Sequence, residues 1–455
     1  MILLYFSKYN MILPFSEEKN SYIILNLLSG SSDIASEDEI NKLYDIKSGG
    51  DIDDIDFLDY VIDRGYVYED KEYEDLRLNE AYEEFKEIME ESPTQILLVP
   101  TYGCNFSCIY CYERGIPTKK DLITREAVDA FFDDINERLK GEKVKPYITL
   151  FGGEPFIDTD VQKEIINYIV EKSKEYGYEI AAVTNGYNLL EYIDILKKAN
   201  VKEIQVTLDG PKDVHNKRRR LLGGGDSFEK ILRGIDSLIE NGMPVNLRVV
   251  VDKDNYAYLP ELAKILDNKG YFDLDGDKFK TQIGRNYELF ECSLNHQSLM
   301  TQVEQWATFV ELSKKYPILK KFHKPDFKGM RNVLVSGTMY SPTFDTCPAG
   351  KKEWLYDLYG DIYGCTASCG RKDYRLGTFY PERKIFKDKL APWQKRNVLN
   401  IPKCKECPVS LVCGGGCGVV ANERNGSVLS PDCRDIKKLY ELGVEYYKDD
   451  ALIQE

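Results

Sequence analysis

Histidine is scarce in this sequence, at 3 among 455 residues. His215 reads as a structural residue, and His296 and His323 as surface residues. No run of about 18 apolar residues occurs, so no membrane-crossing helix is expected and no membrane partner is implied. The first residues, Met1-Ile-Leu-Leu-Tyr-Phe6, lack the basic n-region of a secretory signal. That points to a cytoplasmic, reducing location and argues against a disulfide framework. Positive charge is in deficit, with Lys+Arg 61 against Asp+Glu 76 and a net charge of −15. A nucleic-acid partner, which needs a basic face, is thereby disfavoured. The acidity either favours a basic or neutral partner or serves solubility alone. Residues 1–90 hold no cysteine.

Elsewhere cysteine is plentiful, 12 in all, and grouped in short motifs. Cys104-Asn-Phe-Ser-Cys108-Ile-Tyr-Cys111 follows an apolar run, Gln95–Thr101, that reads as a buried strand. Three thiolates at this spacing can hold three irons of a [4Fe–4S] cube and leave the fourth iron open. Structural clusters are normally closed by four cysteines. A zinc site fits less well, because zinc favours four ligands in paired motifs and no histidine lies nearby. The segment resembles the radical S-adenosylmethionine (SAM) enzymes. The resemblance implies that Cys104, Cys108 and Cys111 hold the catalytic cluster. Its open iron would chelate the methionyl end of the cofactor, and an electron from it would release a 5′-deoxyadenosyl radical. Tyr110, just before the third cysteine, joins the cofactor-binding candidates.

Length implies more than one domain, and a hydrophobic content of 43% can build real cores. From Gln95 to about Asn286 strand and helix patterns alternate. The strands are expected at Ile96–Pro100, Tyr147–Phe151, Glu179–Thr184, Glu203–Leu208, Val245–Val251 and Phe279–Gly284. Such repeats imply a parallel sheet with helices outside. Six units suit an open partial (β/α)6 barrel, the fold of the family it resembles. Motifs follow four strands in order, at the carboxyl ends where barrels of this type carry chemistry. They are the cysteine loop, Gly152-Gly153-Glu154-Pro155, Thr184-Asn185-Gly186 and Thr207-Leu208-Asp209-Gly210-Pro211. In the fourth strand Ile204, Val206 and Leu208 alternate with Gln205, Thr207 and Asp209, and the fifth strand alternates likewise. The apolar set should meet the helices and the polar set should line a ligand cavity.

By the same resemblance, Gly152-Gly153-Glu154 is the family's Gly-Gly-Glu motif, with Glu154 accepting hydrogen bonds from the methionyl ammonium. The plainer reading is a glycine turn after a strand. Thr184, Asn185, Thr207 and Asp209 are candidates for the ribose hydroxyls and carboxylate. Arg248 is a candidate for the methionyl carboxylate, since a guanidinium is a good fork for it. An internal salt bridge from Arg248 to Asp209 or Glu154 is the alternative.

A second cysteine system begins at Cys347, continues through Gly360 and Cys365, and ends with Cys404, Cys407, Cys413, Cys417 and Cys433. This order resembles the SPASM domain found at the C-terminus of many radical SAM enzymes. The resemblance implies one [4Fe–4S] cluster on Cys347, Cys365 and Cys417, and another on Cys404, Cys407, Cys413 and Cys433. With the catalytic cluster, three are expected. A zinc ribbon on Cys404, Cys407, Cys413 and Cys417 is the alternative. Cys369 either closes the first auxiliary cluster or is a spare thiol, and Cys292 reads as an ordinary buried residue.

Ahead of the barrel, Met1–Phe6 and Ser21–Leu28 read as a hairpin, followed by helices near Glu37–Tyr44, Asp54–Arg64 and Asp75–Glu90. This α+β module resembles the winged-helix-like modules that bind leader peptides by strand addition. A cap packed on the barrel is the alternative. The expected organisation is a winged-helix-like module over 1–90, the barrel over 91–290, a helical linker over 291–340 and the SPASM domain over 341–455. The function expected is modification of a ribosomally made precursor peptide containing cysteine, by a thioether or carbon–carbon crosslink. An electron donor such as a flavodoxin or ferredoxin would serve it. Anaerobic sulfatase maturation is the rival enzyme reading. Those relatives carry an Asp after the second auxiliary cysteine, where this chain has Thr366. A non-catalytic iron–sulfur or zinc protein that binds partners is the rival from another class.

Overall fold

A computed structural model describes residues 4–16, 18–50, 52–113, 115–116, 121–286, 296–339 and 341–451. Cys292 and the side chain of His296 lie outside the described residues. The chain forms two compact units, each built from discontinuous segments. One comprises Glu91–Lys324 and Pro348–Gln394, and the other Met1–Glu90, Pro325–Cys347 and Lys395–Glu455.

The first of these contains the barrel sheet. Its six strands are Gln95–Thr101, Tyr147–Gly152, Glu179–Thr184, Val201–Thr207, Val245–Val251 and Phe279–Arg285, neighbours in that order and all parallel. The alternation in the sequence is realised. Ile204, Val206, Leu208, Leu247, Val249 and Val251 are all fully buried. Helices Arg125–Arg138, Asp160–Tyr176, Phe228–Glu240 and Leu259–Asn268 follow the first, second, fourth and fifth of these strands, and the short helix Ile193–Leu196 follows the third. Thr124 and Thr159 cap the first two by accepting from the backbone N–H three residues on. Together this is an α/β fold with a mainly parallel sheet, as the resemblance implies.

The sheet continues beyond the strands that the pattern marks. Glu353–Asp357 pairs in parallel with Gln95–Thr101. Asp361–Tyr363, Gly377–Thr378 and Lys384–Ile385 then extend it antiparallel to a total of 10 strands. Residues 348–394, expected in a separate C-terminal domain, therefore belong with the barrel, tied to it by backbone hydrogen bonds.

In the other unit the expected hairpin is displaced. Asn10–Ser16 pairs with Ser21–Asn26, which pairs with Ser32–Ser36. Tyr5–Phe6 pairs instead with Val67–Tyr68. Pro14 interrupts the apolar pattern, but it lies on an edge strand, where a missing N–H is tolerated. Helices Glu37–Lys47, Ile55–Asp63 and Lys71–Glu91 follow, the first closed by a capping box between Ser36 and Glu39. Ile24, Ile40, Leu43, Ile46, Val61 and Val67 form this module's core. Among the described residues no helix is long and apolar enough to cross a membrane.

Candidate active site

The cysteine loop is clamped by a segment that sequence periodicity could not find. Phe106–Cys108 pairs antiparallel with Arg219–Leu221, so that Arg219 lies opposite Cys108. Ile109 N–H donates to the Arg218 carbonyl at 2.9 Å and Leu222 N–H to that of Asn105 at 2.8 Å. The three thiols lie within electrostatic reach of one another. Burial raises the Cys104 thiol, and the charges of Glu154, Cys108 and Cys111 add to it. Burial, then Glu113 and Cys108, pushes Cys111 up to about 12. The Phe106 N–H donates to Cys104 Sγ at 3.3 Å. A positively charged partner is therefore needed to hold these groups as thiolates. Among the described residues no group of three His, Cys, Asp or Glu is placed to hold a single metal ion. One zinc ion would draw its sulfurs to about 2.3 Å from itself. A cube spreads them over separate irons, and that suits thiols which share a neighbourhood without touching.

Glu154 is 1% exposed and forms the hub of the next two strand ends. Its carboxylate accepts from Thr184 Oγ1 at 2.6 Å, the Asn185 N–H at 2.6 Å and the Phe156 N–H at 2.9 Å. Burial raises its carboxyl and these donors pull it back. Gly152 has φ of 113°, a conformation that favours glycine. Gly153 is needed for space, since a Cβ there would stand 2.3 Å from the Gly103 carbonyl oxygen. Thr184, read as a ribose contact, thus gives its hydroxyl to Glu154. Asn185 Nδ2 donates to Asn105 Oδ1 at 2.7 Å and lies 3.9 Å from Cys104 Sγ, which brings it against the cysteine loop.

Asp209 is fully buried and likewise engaged. Tyr110 Oη donates to its Oδ2 at 2.5 Å, and the Val250 N–H to its Oδ1 at 3.0 Å. Arg219 Nη1 donates to Tyr110 Oη at 2.6 Å. Asp209 and Arg219 together fix the ring that precedes Cys111. Arg218 pairs with Asp252 through two bonds of 2.9 and 2.7 Å and stands 3.7 Å from Asp209. The salt bridge to Asp209 considered for Arg248 is made instead by Arg218. Among the described residues Arg248 pairs with neither Asp209 nor Glu154, and its guanidinium lies over Gly284. Thr207 is buried and sits beside Arg248 in register. Arg218 and Arg219 were the functional residues without an assigned role. Their one signal was a run of three arginines, Arg218 to Arg220, after the fourth motif.

Residues 98–266 match the family model of the radical SAM superfamily. The chain contains a radical SAM domain. The family implies a [4Fe–4S] cluster and S-adenosylmethionine, and the neighbouring thiols and buried hub of that domain suit both. A probable GTP 3′,8-cyclase of Saccharolobus islandicus is 27% identical over 52% of this chain and 70% of its own. A cysteine-type anaerobic sulfatase-maturating enzyme of Clostridium novyi is 23% identical over 78% of this chain and 96% of its own. Streptococcus suis SuiB bound to its precursor peptide SuiA is similar in fold, with a TM-score of 0.55 and 15% identity over 95% of this chain and 99% of SuiB.

Outside the radical SAM domain the C-terminal cysteines fall into both units. Cys365 and Cys369 belong to the barrel unit, and Cys347, Cys404, Cys407, Cys413, Cys417 and Cys433 to the other. The thiol of Cys404 is pushed up to about 11 by burial, then by Cys413, Cys433 and Cys407, so these four share one neighbourhood. In the same unit Thr346 N–H donates to the Gly414 carbonyl at 3.1 Å, joining the Cys347 segment to the Gly414–Gly416 loop. Cys417 N–H donates to Asp432 at 3.2 Å. Cys369 is 1% exposed, with Sγ 3.3 Å from Tyr102 Oη, which donates to Asp357 at 3.0 Å. Its thiol is thus held by a tyrosine–aspartate pair. His215 is fully buried and accepts from the Asp209 N–H, as a structural residue should. His323, expected at the surface, is half-buried with its ring stacked on Trp306.

Glu353 accepts from the Thr366 N–H at 3.1 Å, and burial pushes its carboxyl up to about 7. A raised carboxyl favours the folded state at low pH, and this contribution is lost as pH rises through the folded value. Between pH 8 and pH 6 the wild type should gain about 1–2 kcal/mol from this group, at about 1.4 kcal/mol per pH unit near and below 7. Glu353→Gln should remove that gain and be the more stable protein at pH 8. Thermal unfolding of both proteins at the two pH values checks it.

Proposed function

We propose that this radical SAM enzyme modifies a ribosomally made, cysteine-containing precursor peptide and forms a thioether or carbon–carbon crosslink. The observation that carries the reading is the extent of the likeness. Similarity to the peptide-bound SuiB structure spans 95% of the chain, N-terminal module included, whereas the sulfatase-maturase relative aligns with 78%. The net charge of −15 also falls entirely within residues 1–90, since Lys and Arg balance Asp and Glu over the remainder. A module so charged favours a leader segment bearing Lys and Arg.

Bound cluster and cofactor together supply one-electron cleavage and hydrogen-atom abstraction from carbon. The chain's own residues bind, orient and shield. Cys104, Cys108 and Cys111 hold the iron, and the strand Arg219–Leu221 fixes their loop. Glu154 and Arg248 receive the ammonium and carboxylate of the methionyl end. Thr184 orients Glu154, and Asp209 with Arg219 orients Tyr110. Thr207 and Asn185 are assigned to the ribose hydroxyls. The barrel wall keeps water from the reacting carbon.

The test is anaerobic coexpression with a short cysteine-containing reading frame adjoining this gene, followed by mass spectrometry of the peptide. A crosslinked product is lighter by two hydrogens and keeps its sulfur. Loss of sulfur with gain of an aldehyde would support formylglycine formation instead.

A further inference from the structure

Four of the C-terminal cysteines sit in a shell of cations. Arg396 is 1% exposed and threads between two loops, donating to the carbonyls of Gly415 at 2.7 Å, Gly416 at 3.2 Å and Ser430 at 2.7 Å, and to that of Val428. It lies within electrostatic reach of Cys404. Arg434 and Lys328 both act on Cys413. Arg434 pairs with Asp432 at 3.1 Å, and Arg424 takes the other oxygen of that carboxylate at 3.3 Å.

Lys328 is the member without an anion. Among the described residues it forms no ion pair, although Asp326 and Asp432 are near. Asp326 instead accepts from the Gly329 N–H at 2.9 Å. Burial and the repulsion of Arg434 pull the ammonium's proton affinity down. The backbone carrying it is strained, for Phe327 and Lys328 have φ of 47° and 58°. Consecutive non-glycine residues of this kind persist where the surroundings hold them, and such positions cluster at functional sites. Here Tyr440 Oη donates to the Lys328 carbonyl at 2.9 Å, Tyr447 Oη to that of Pro325 at 2.8 Å, and Phe327 packs on Tyr446 and Tyr447. An ammonium is thus held by a strained, braced turn beside thiols and a second cation.

We propose that Lys328 is a positioning cation for a [4Fe–4S] cluster on Cys404, Cys407, Cys413 and Cys433, and that its charge raises the reduction potential of that cluster. Four thiolates on a cube leave a net negative charge, which is the anion this shell lacks. A nearby positive charge stabilises the more negative, reduced form. The radical SAM loop differs, since the carboxylates Glu113 and Glu154 both act on its thiols, beside the cation Arg219. The inference rests on the cluster reading of the four cysteines.

The test uses the full chain, reconstituted anaerobically, on a background of Cys104→Ala, Cys108→Ala, Cys111→Ala and Cys365→Ala, so that this cluster signals alone. Iron content and a redox titration followed by electron paramagnetic resonance are compared for Lys328, Lys328→Met and Lys328→Arg. Lys328→Met should keep its iron and show at least a tenfold lower reduced-to-oxidised ratio at fixed potential, about 59 mV for one electron. Lys328→Arg should restore most of the shift. Loss of iron in Lys328→Met alone would overturn the effect on the potential, since the charge would then hold the cluster rather than tune it. An unchanged midpoint with full iron, or loss of iron in both variants, overturns the role of Lys328 and leaves the cluster in place. A background protein without iron overturns the cluster reading itself.

Discussion

Glu154→Ala should lose S-adenosylmethionine binding and part of the barrel's stability together. The carboxylate is fully enclosed and accepts three hydrogen bonds from the ends of the second and third strand units. Its removal strands the Asn185 and Phe156 N–H groups and the Thr184 hydroxyl. Each buried donor left unsatisfied costs about 1–3 kcal/mol, less whatever water can repay by entering. A net loss on the order of 3 kcal/mol is expected. Glu154→Gln keeps one acceptor oxygen and the volume, so it should retain most of the stability and little of the cofactor affinity. Melting temperature and equilibrium binding of S-adenosylmethionine, measured on all three proteins, separate the two effects. Wild-type affinity in Glu154→Gln would confine the residue to a structural role.

Gly153→Ala should be as damaging, for a steric reason. The added Cβ would stand 2.3 Å from the Gly103 oxygen and 2.5 Å from that of Tyr102, and neither backbone atom can swing away. The same backbone is laced by Gly153 N–H to Thr101 at 3.1 Å and Glu154 N–H to Gly103 at 2.9 Å. Relief of the clash must therefore move the cysteine loop away from the Gly-Gly-Glu turn. Overpacking of this kind costs about 1–3 kcal/mol and at times more. Displacing a cofactor ligand loop by 1 Å can reduce turnover about 100-fold. Gly276→Ala is the control, because a Cβ there meets nothing within 4 Å. Cofactor cleavage by Gly153→Ala at the wild-type rate would mean that the turn is looser than it looks.

What the sequence could convey was local. The six barrel strands were legible because short apolar runs recur between helical stretches, and four of them end in a chemical motif. The strand Glu353–Asp357 was not, since its partner Gln95–Thr101 is remote in sequence and pairing leaves no local periodicity. Arg219–Leu221 is three residues long, too short for a pattern, yet it fixes the cysteine loop. Thr184 and Asp209 were correctly placed at strand ends, but their side chains serve Glu154 and Tyr110. Residue type and position do not distinguish a group that touches a ligand from one that aims its neighbour. Pro14 concealed the N-terminal hairpin because edge strands accept a residue that central strands reject.

The most direct test is formation of 5′-deoxyadenosine. Iron-loaded protein, reduced anaerobically with S-adenosylmethionine, should release it, and the variant with Cys104, Cys108 and Cys111 all replaced by Ala should release none. Release undiminished in that variant, or no release from wild-type protein that holds its iron, would contradict the assignment of the cysteine loop as the radical-generating centre.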